Sequence, residues 1–544
     1  MPLPAGTSDP RVRRYVLPTR VVWTSGDGVS APEHLLTDDQ HACLLQPSRN
    51  GQPTSILLDF GRELHGGVRI ETPMIKPKKS ALVRVRFGES VAEAMGTPDQ
   101  DHTIHDHPQV LLPWMGHTEI GNTGFRFVRI DLLDQEATVT LEKVRAVFLY
   151  RLLEYHGSFR CSDERLSRIW DTGAYTVHLC MQDHVWDGIK RDRLVWIGDL
   201  HPEMMVISTV FGNQSIVPES LDYVRDRTPL PGWMNGISSY SLWWILCHRD
   251  WYRYHGDEVY LKQQRKYLLG LLDQVRNSLD AAGREQLKGH RFLEWPTSRD
   301  PTAIDAGLQA LTAMALEAGA EICDVIGEKE AASTARAAAR RAATFRRAPS
   351  PSKQANALLV LAGAADAQTV NREILARDPD RGLSTFYGYY ILQARARAGD
   401  HQGCLDLIRS YWGGMLDRGA TTFWEGFELE WLDGSGRIDE LTPPGKKDLH
   451  ADYGDYCYVG LRHSLCHGWA AGPTAWLTEH VLGVRPLAPG FGSIAVEPHL
   501  ADLDWAEGSI PTPYGLLKVR HERRGGRVVT EVDGDRKLKE RIRR

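Results

Sequence analysis

Residues 163–185 read DERLSRIWDTGAYTVHLCMQDHV, and within them the hydrophobic period lengthens from two to that of a helix. Leu166, Ile169, Trp170, Ala174, Val177 and Cys180 fall on one helical face, and Ser162 with Glu164 reads as the helix start. Upstream, short alternating runs (SILLDFG, GGVRIET, ALVRVRFGE, FRFVRIDLL, ATVTLEKV, AVFLYRLLEY) are separated by Gly, Pro, Asp and polar clusters, the pattern of a β-sandwich. Downstream, helical segments continue to about residue 483: SYSLWWILCHRDWYRYHGD, a long stretch over 258–283, AIDAGLQALTAMALEAGAEICDVIG, EKEAASTARAAARRAATFRRA, KQANALLVLAGAA, TFYGYYILQARARAGD, DLIRSYWGGMLDRG and CHGWAAGPTAWLTEHVLG. They carry no repeated signature, which disfavours a solenoid and leaves a toroid of helical hairpins whose loops form a pocket at one end.

Beyond about residue 485, strand and turn chemistry returns as a small β-domain, and the basic end DRKLKERIRR reads as frayed. The expected organisation is therefore a β-sandwich over 1–155, a helical toroid over 156–485 and a C-terminal β-domain over 486–544.

A net charge of -5, with Lys and Arg spread along the chain, shows no footprint for nucleic acid or anionic membrane. Without an apolar N-terminal core or any run near the roughly 18 residues that span a bilayer, a cytoplasmic location is the default expectation, as a monomer or homodimer. Eight scattered cysteines without a CxxC pair read as reduced, mostly buried thiols. His102, His105 and His107 lack framing ligands and read as a solvated loop. Asp448, His450, Asp452 and Asp455 lack the spacing of a calcium loop and read as an acidic surface or subsite loop. With no Gly-rich phosphate cradle and no nucleophile elbow, no cofactor or metal is expected.

Sixteen tryptophans and eighteen tyrosines offer flat faces that stack on sugar rings, although most serve equally well as core of a large helical domain. The densest chemistry is DGIKRDRLVWIGD, residues 187–199, with three carboxylates, three cations and a tryptophan. Charges against so apolar a segment have perturbed pKa values; a salt-bridged helix start is the plainer alternative.

Three motifs in order carry a resemblance to the bacterial α-L-rhamnosidase family of glycoside hydrolases: DGIKRDRLVWIGD, GATTFWEGF (419–427) and SLCHGWAAGPTAWLTEHVLGVRP (464–486). ILLDFGRELHGGVRIE also resembles that family's N-terminal sandwich, and FRFVRI followed by HGSFRCSDERLSRIWD resembles the entry into its (α/α)6 barrel. The resemblance implies an inverting exo-glycosidase acting on terminal α-L-rhamnose, with Asp192 as general acid and Glu425 as the base that activates water. It further implies that Asp187, Arg191, Trp196, Asp199 and His467 bind the sugar, with Trp243, Glu294 and Trp295 around the pocket.

Two residues depart from the family pattern. Glu294 stands where Asp is commoner, and Asp192 stands where Glu is commoner, about 1.5 Å shorter in reach. For Asp192 to act as an acid its pKa must rise, so Arg191 and Arg193 are expected to pair with Asp187, Asp199 or the substrate instead. The same barrel acting on another deoxy-sugar or a uronic acid, or a silent carbohydrate-binding protein, are the competing expectations. His463 and His467, four apart on an expected helix, lack the glutamate of a zinc motif.

Overall fold

Residues 9–74, 79–97, 103–456 and 458–543 are described by a computed structural model; His102 and Cys457 lie outside the described residues. The N-terminal domain sets a large antiparallel sheet against a small one. In the large sheet, neighbours run Arg11–Val16, Lys143–Arg151, Ser55–Thr72, Gly116–Leu132, Ala81–Gly88 and Asp106–Leu112, with Arg20–Ser25 also pairing Ser55–Thr72. The small sheet joins Val29–Ser30, Cys43–Leu45 and Val139–Leu141. Ile56, Leu58, Val68 and Ile70 of the large sheet share one core with Cys43, Leu45, Val139 and Leu141 of the small one, which makes the pair a sandwich. Leu57 and Phe127 point to the opposite face, as a period of two requires, and pack on Val91 and Ala94 of the helix Val91–Met95.

SILLDFG and GGVRIET, which read as two strands, are one strand, Ser55–Thr72. The register shifts between Asp59 and Leu64 and again between Gly66 and Val68, where Gly61 and Gly66 take φ of 84° and 140°. Bulges at these glycines bend the strand without ending it.

The helix Glu164–Cys180 buries every residue of its expected apolar face. Its cap is Asp163, whose carboxylate accepts the backbone N–H of Arg165 and Leu166, and not Ser162, whose hydroxyl accepts instead from Asp504 N. Each large side chain on this face contributes about 1.5–3 kcal/mol by burial, and Trp170→Ala would cost about 3–5 kcal/mol.

Among the described residues, six helices pack in a closed ring: Ile197–Val210, Ser238–His255, Pro301–Val325, Lys353–Leu361, Gly388–Arg397 and Gly472–Trp476, the last returning to the first. Partner helices, among them Glu164–Cys180, Ile216–Arg227, Arg265–Asn277 and Lys329–Thr344, lie outside it. This is the (α/α)6 toroid flanked by two β-domains.

The C-terminal domain is joined more closely to the toroid than the sequence suggests. Ser158–Cys161, just ahead of the first barrel helix, pairs with Trp505–Thr512, and Ile510, Leu517 and Val519 belong to the barrel's own core. Residues 535–543 of the basic tail pack onto the fold: Leu538 is fully buried, and Ile542–Arg543 pairs with Ser493–Val496. The seven described cysteines are buried free thiols. No described helix is long and apolar enough to cross a membrane.

Candidate active site

After the helix Glu164–Cys180, the chain folds into a closed loop. Asp187 N–H donates to Leu194 O (3.1 Å), and Leu194 N–H returns to Asp187 Oδ1 (2.9 Å). At its tip Asp192 and Arg193 take φ of 53° and 54°, a left-handed pair that L-residues adopt at a cost of about 1–2 kcal/mol each. The neighbours that hold this turn are Asn122 O, which accepts from Arg193 Nη1 (2.7 Å), and Arg462 O, which accepts from Arg191 Nε (2.9 Å). Strain of this kind concentrates at functional sites.

The next helix, Ile197–Val210, starts without a side-chain cap and carries Asp199 in its first turn, where the helix dipole favours an anion. Tyr240 donates its O–H to Asp199 Oδ1 (3.0 Å), and His467 Nε2 lies 3.2 Å from Asp199 Oδ2. Tyr240 reaches that position over Gly198: a Cβ there would meet the Tyr240 ring at 2.4 Å.

Glu425 is clasped from both sides. Its N–H donates to Ser464 O (3.0 Å), its carbonyl accepts from Thr385 Oγ1 (2.6 Å) and Trp469 Nε1 (2.9 Å), and its Oε2 accepts from Arg191 Nη2 and from Ser464 N–H (3.3 Å).

These segments meet at a cleft with about 540 Å³ of free space. Of the residues expected at the site, Asp187, Arg191, Asp192, Trp196, Asp199, Trp295, Glu425 and His467 line it. Trp243 and Glu294 do not. Trp243 is 1 % exposed, a turn deeper in its helix, stacked on Tyr390 at 4.7 Å. Glu294, also 1 % exposed, accepts from Ser384 Oγ, and burial pushes its pKa up to about 8.

The aromatic that helix Ser238–His255 presents is Tyr240, in its first turn, because the cleft opens at that end of the ring. Ile237, His290, Phe292, Arg462 and Trp469 complete the lining and were not anticipated. Trp469, two residues beyond His467, and Phe292, in the same stretch as Trp295, carried the only usable signals.

The carboxyls divide by environment. Burial raises Asp187 well above the ordinary carboxylate range, with Asp199 and Asp192 adding like charge and His467 opposing. Asp199 is also raised by burial, against His467 and Tyr240. Glu425 goes the other way: against the penalty of burial, Arg191, His467 and His463 hold it down at about 2. His467, although desolvated, is pushed up to about 9 by Glu425, Asp199 and Asp187, so it is an imidazolium at neutral pH.

Arg191 departs from its expected pairing. Its Nη1 lies 3.7 Å from Asp192 Oδ1 while its Nη2 holds Glu425. One guanidinium therefore reaches both carboxyls, which line the same cleft.

His463 and His467 are not on a helix: the 3-10 turn Gly460–Arg462 ends at His463, and His467 is extended. His463 Nε2 instead accepts Gly426 N–H (2.9 Å). The loop read as solvated, around His105, and the loop read as an acidic surface or subsite loop, around His450, are both partly buried. His105 Nε2 bonds to Lys190 O (2.9 Å), and His450 bridges Ser90 Oγ (2.7 Å) and His463 O (2.8 Å).

Residues 154–356 match the family model of the bacterial alpha-L-rhamnosidase six-hairpin glycosidase domain, and residues 483–533 match that of the bacterial alpha-L-rhamnosidase C-terminal domain. A curated alpha-L-rhamnosidase of Alteromonas sp. (strain LOR) is 25% identical over 523 residues, covering 86% of this chain and 53% of the relative. A GH78-family rhamnosidase of Bacillus sp. GL1 has a similar fold with TM-score 0.76 at 23% identity, covering 94% of this chain and 55% of that one. A rhamnosidase from Klebsiella oxytoca, solved with rhamnose bound, has TM-score 0.69 at 19% identity, covering 86% and 95%. The chain thus spans about half the length of the Alteromonas and Bacillus relatives. The matched residues contain the first of the three motifs, 187–199; the second, 419–427, lies outside both matches, and the third, 464–486, only touches the start of the second match.

Proposed function

We propose that this chain, carrying both domains of the bacterial α-L-rhamnosidase family, is an inverting exo-glycosidase that releases terminal α-L-rhamnose. The observation that carries the reading is that Arg191 reaches both Asp192 and Glu425, two carboxyls that line one cleft; inversion requires such a pair to stand roughly 6.5–9.5 Å apart, with room for a water between them.

In the proposed reaction, Asp192 gives its proton to the glycosidic oxygen as the bond to the anomeric carbon breaks. A water attacks that carbon from the opposite face and passes a proton to Glu425, so the sugar leaves with inverted configuration. Glu425 suits the base because Arg191 and His467 keep it ionised. A base held so low is a modest proton acceptor, and the rate then draws more on placement than on basicity. Asp187, Asp199, Arg191 and His467 supply donors and acceptors for ring hydroxyls. Trp196, Ile237, Tyr240, Phe292, Trp295 and Trp469 supply apolar walls for the ring face and the methyl group.

A second reading exchanges the acid. Asp187 lines the same cleft, and its burial favours the protonated form, which a general acid requires. It retains the base and the inversion. A panel of aryl glycosides tests the function: the reading expects turnover of α-L-rhamnosides with a β-configured first product by NMR. No turnover of any glycoside, with binding retained, would leave a carbohydrate-binding protein.

A further inference from the structure

Lys190, the neighbour of Arg191, is fully buried and does not line the cleft. Its ammonium donates to Leu461 O and His463 O, both at 2.6 Å, and lies 2.9 Å from Glu93 Oε1 and 3.5 Å from Glu89 Oε2. Both glutamates belong to the N-terminal β-domain, Glu93 in the helix Val91–Met95 and Glu89 just ahead of it. Glu89 Oε2 also accepts Leu465 N–H (2.5 Å), and Glu93 Oε2 accepts Glu89 N–H (2.9 Å). Four buried acceptors from two domains thus converge on one ammonium.

Apolar and backbone contacts tie the same two segments to the β-domain. Ile189 and Cys466 sit within its core cluster. Gly124 N–H donates to Ile189 O (2.8 Å), and Lys190 O accepts from His105 and from Thr123 Oγ1 (3.4 Å). One residue further along each segment lies the site: Arg191 holds Glu425, Ser464 bonds it twice, and His467 follows Cys466.

We propose that Lys190, Glu89 and Glu93 are positioning residues: a buried ion cluster through which the β-domain fixes loop 186–196 against loop 460–467, and so seats Glu425 between Arg191 and Ser464. The inference rests on the glycosidase reading of the cleft. Burying an ammonium with two carboxyls is expensive, and burial raises both carboxyls, Glu89 to about 7; well-packed apolar residues would serve stability as well or better. What an ammonium adds is direction, since its three N–H donors specify where the Leu461 and His463 carbonyls stand relative to the helix Val91–Met95.

The test is the triple variant Glu89→Gln/Glu93→Gln/Lys190→Met, which removes all three ionisable groups together. Hydrogen exchange by mass spectrometry and kinetics on an aryl α-L-rhamnoside are compared with the parent. Exchange over 186–196 and 460–468 should rise together by tenfold or more, while strands Ser55–Thr72 and Gly116–Leu132 keep parental protection. The folded variant should lose at least tenfold in kcat with KM changed little, and its acidic limb should move to higher pH as Arg191 loses its hold on Glu425. Parental exchange in both loops, or parental kcat and acidic limb, overturns the proposal. If the triple variant does not fold, Glu89→Gln alone must raise exchange over 460–468, and no rise overturns it. A parent inactive on every glycoside sinks the glycosidase reading alone, since exchange still decides the positioning.

Discussion

Arg191 and Glu425 form a buried ion pair across 234 residues of sequence, and the pair holds the glutamate ionised at about 2 in a setting that by burial alone would neutralise it. The same guanidinium reaches Asp192 at 3.7 Å, so one arginine ties together the proposed base and the proposed acid.

Glu425→Gln should lower kcat by about 10³-fold, within the 10²–10⁴ that one proton-transfer group contributes. The amide keeps an oxygen for Arg191, so rhamnose binding measured by calorimetry should stay within a few-fold. Retained turnover would remove Glu425 from the base role.

The two candidate acids separate by leaving group. Asp192→Asn should lose about 10²–10⁴-fold on alkyl rhamnosides yet recover most of that on dinitrophenyl rhamnoside, whose leaving oxygen needs no proton. Asp187→Asn should lose equally on both. The reverse pattern assigns the acid to Asp187.

Stability should fall on the alkaline side because of His467. Its folded pKa of about 9 lies above the ordinary 6.5, so its contribution is full below about pH 6.5 and is lost as pH rises through 9. Asp199 and Asp187, raised by burial, act in the same direction by resisting ionisation. The melting temperature of the native chain should therefore drop more between pH 6.5 and 9 than that of His467→Gln; parallel curves would mean that the imidazolium is not formed.

Apolar walls discriminate weakly against an added hydroxyl, so α-L-mannosides should be turned over about a hundredfold less efficiently than α-L-rhamnosides. A uronide would set a carboxylate beside Asp187 and Asp199, a burial that costs several kcal/mol unless Arg191 leaves Glu425 to meet it. Relative kcat/KM values decide this, and a preference for the uronide would replace rhamnose as the substrate while retaining the acid and base.

Removing the Tyr240 hydroxyl should weaken the site without closing it. Tyr240→Phe deletes one hydrogen bond to the buried Asp199 and leaves that acceptor unsatisfied, at a cost of about 1–3 kcal/mol, and should lower kcat/KM by roughly tenfold. Unchanged kinetics would show that Asp199 does not depend on this contact.

The barrel was legible because helical periodicity is local: the face from Leu166 to Cys180 is set within a few turns, and every residue on it is buried in the fold. The motif residues Asp187, Asp192, Asp199, Glu425 and His467 could likewise be picked out in the chain, and they share one cleft. Which groups face each other could not be read there. Trp243 and Tyr240 lie three residues apart on one helix, and only the direction in which the ring of helices opens puts Tyr240 in the cleft and Trp243 in the core. His105 and the basic tail read as solvent-exposed because polarity is a local signal, whereas the surfaces that bury them, Lys190 and the strand Ser493–Val496, come from distant chain. The same holds for Arg191, whose neighbours in sequence are Asp187 and Asp192 but whose strongest partner is Glu425. Periodicity is written over a few residues, while a charge takes whichever partner packing has brought within reach and shielded from water.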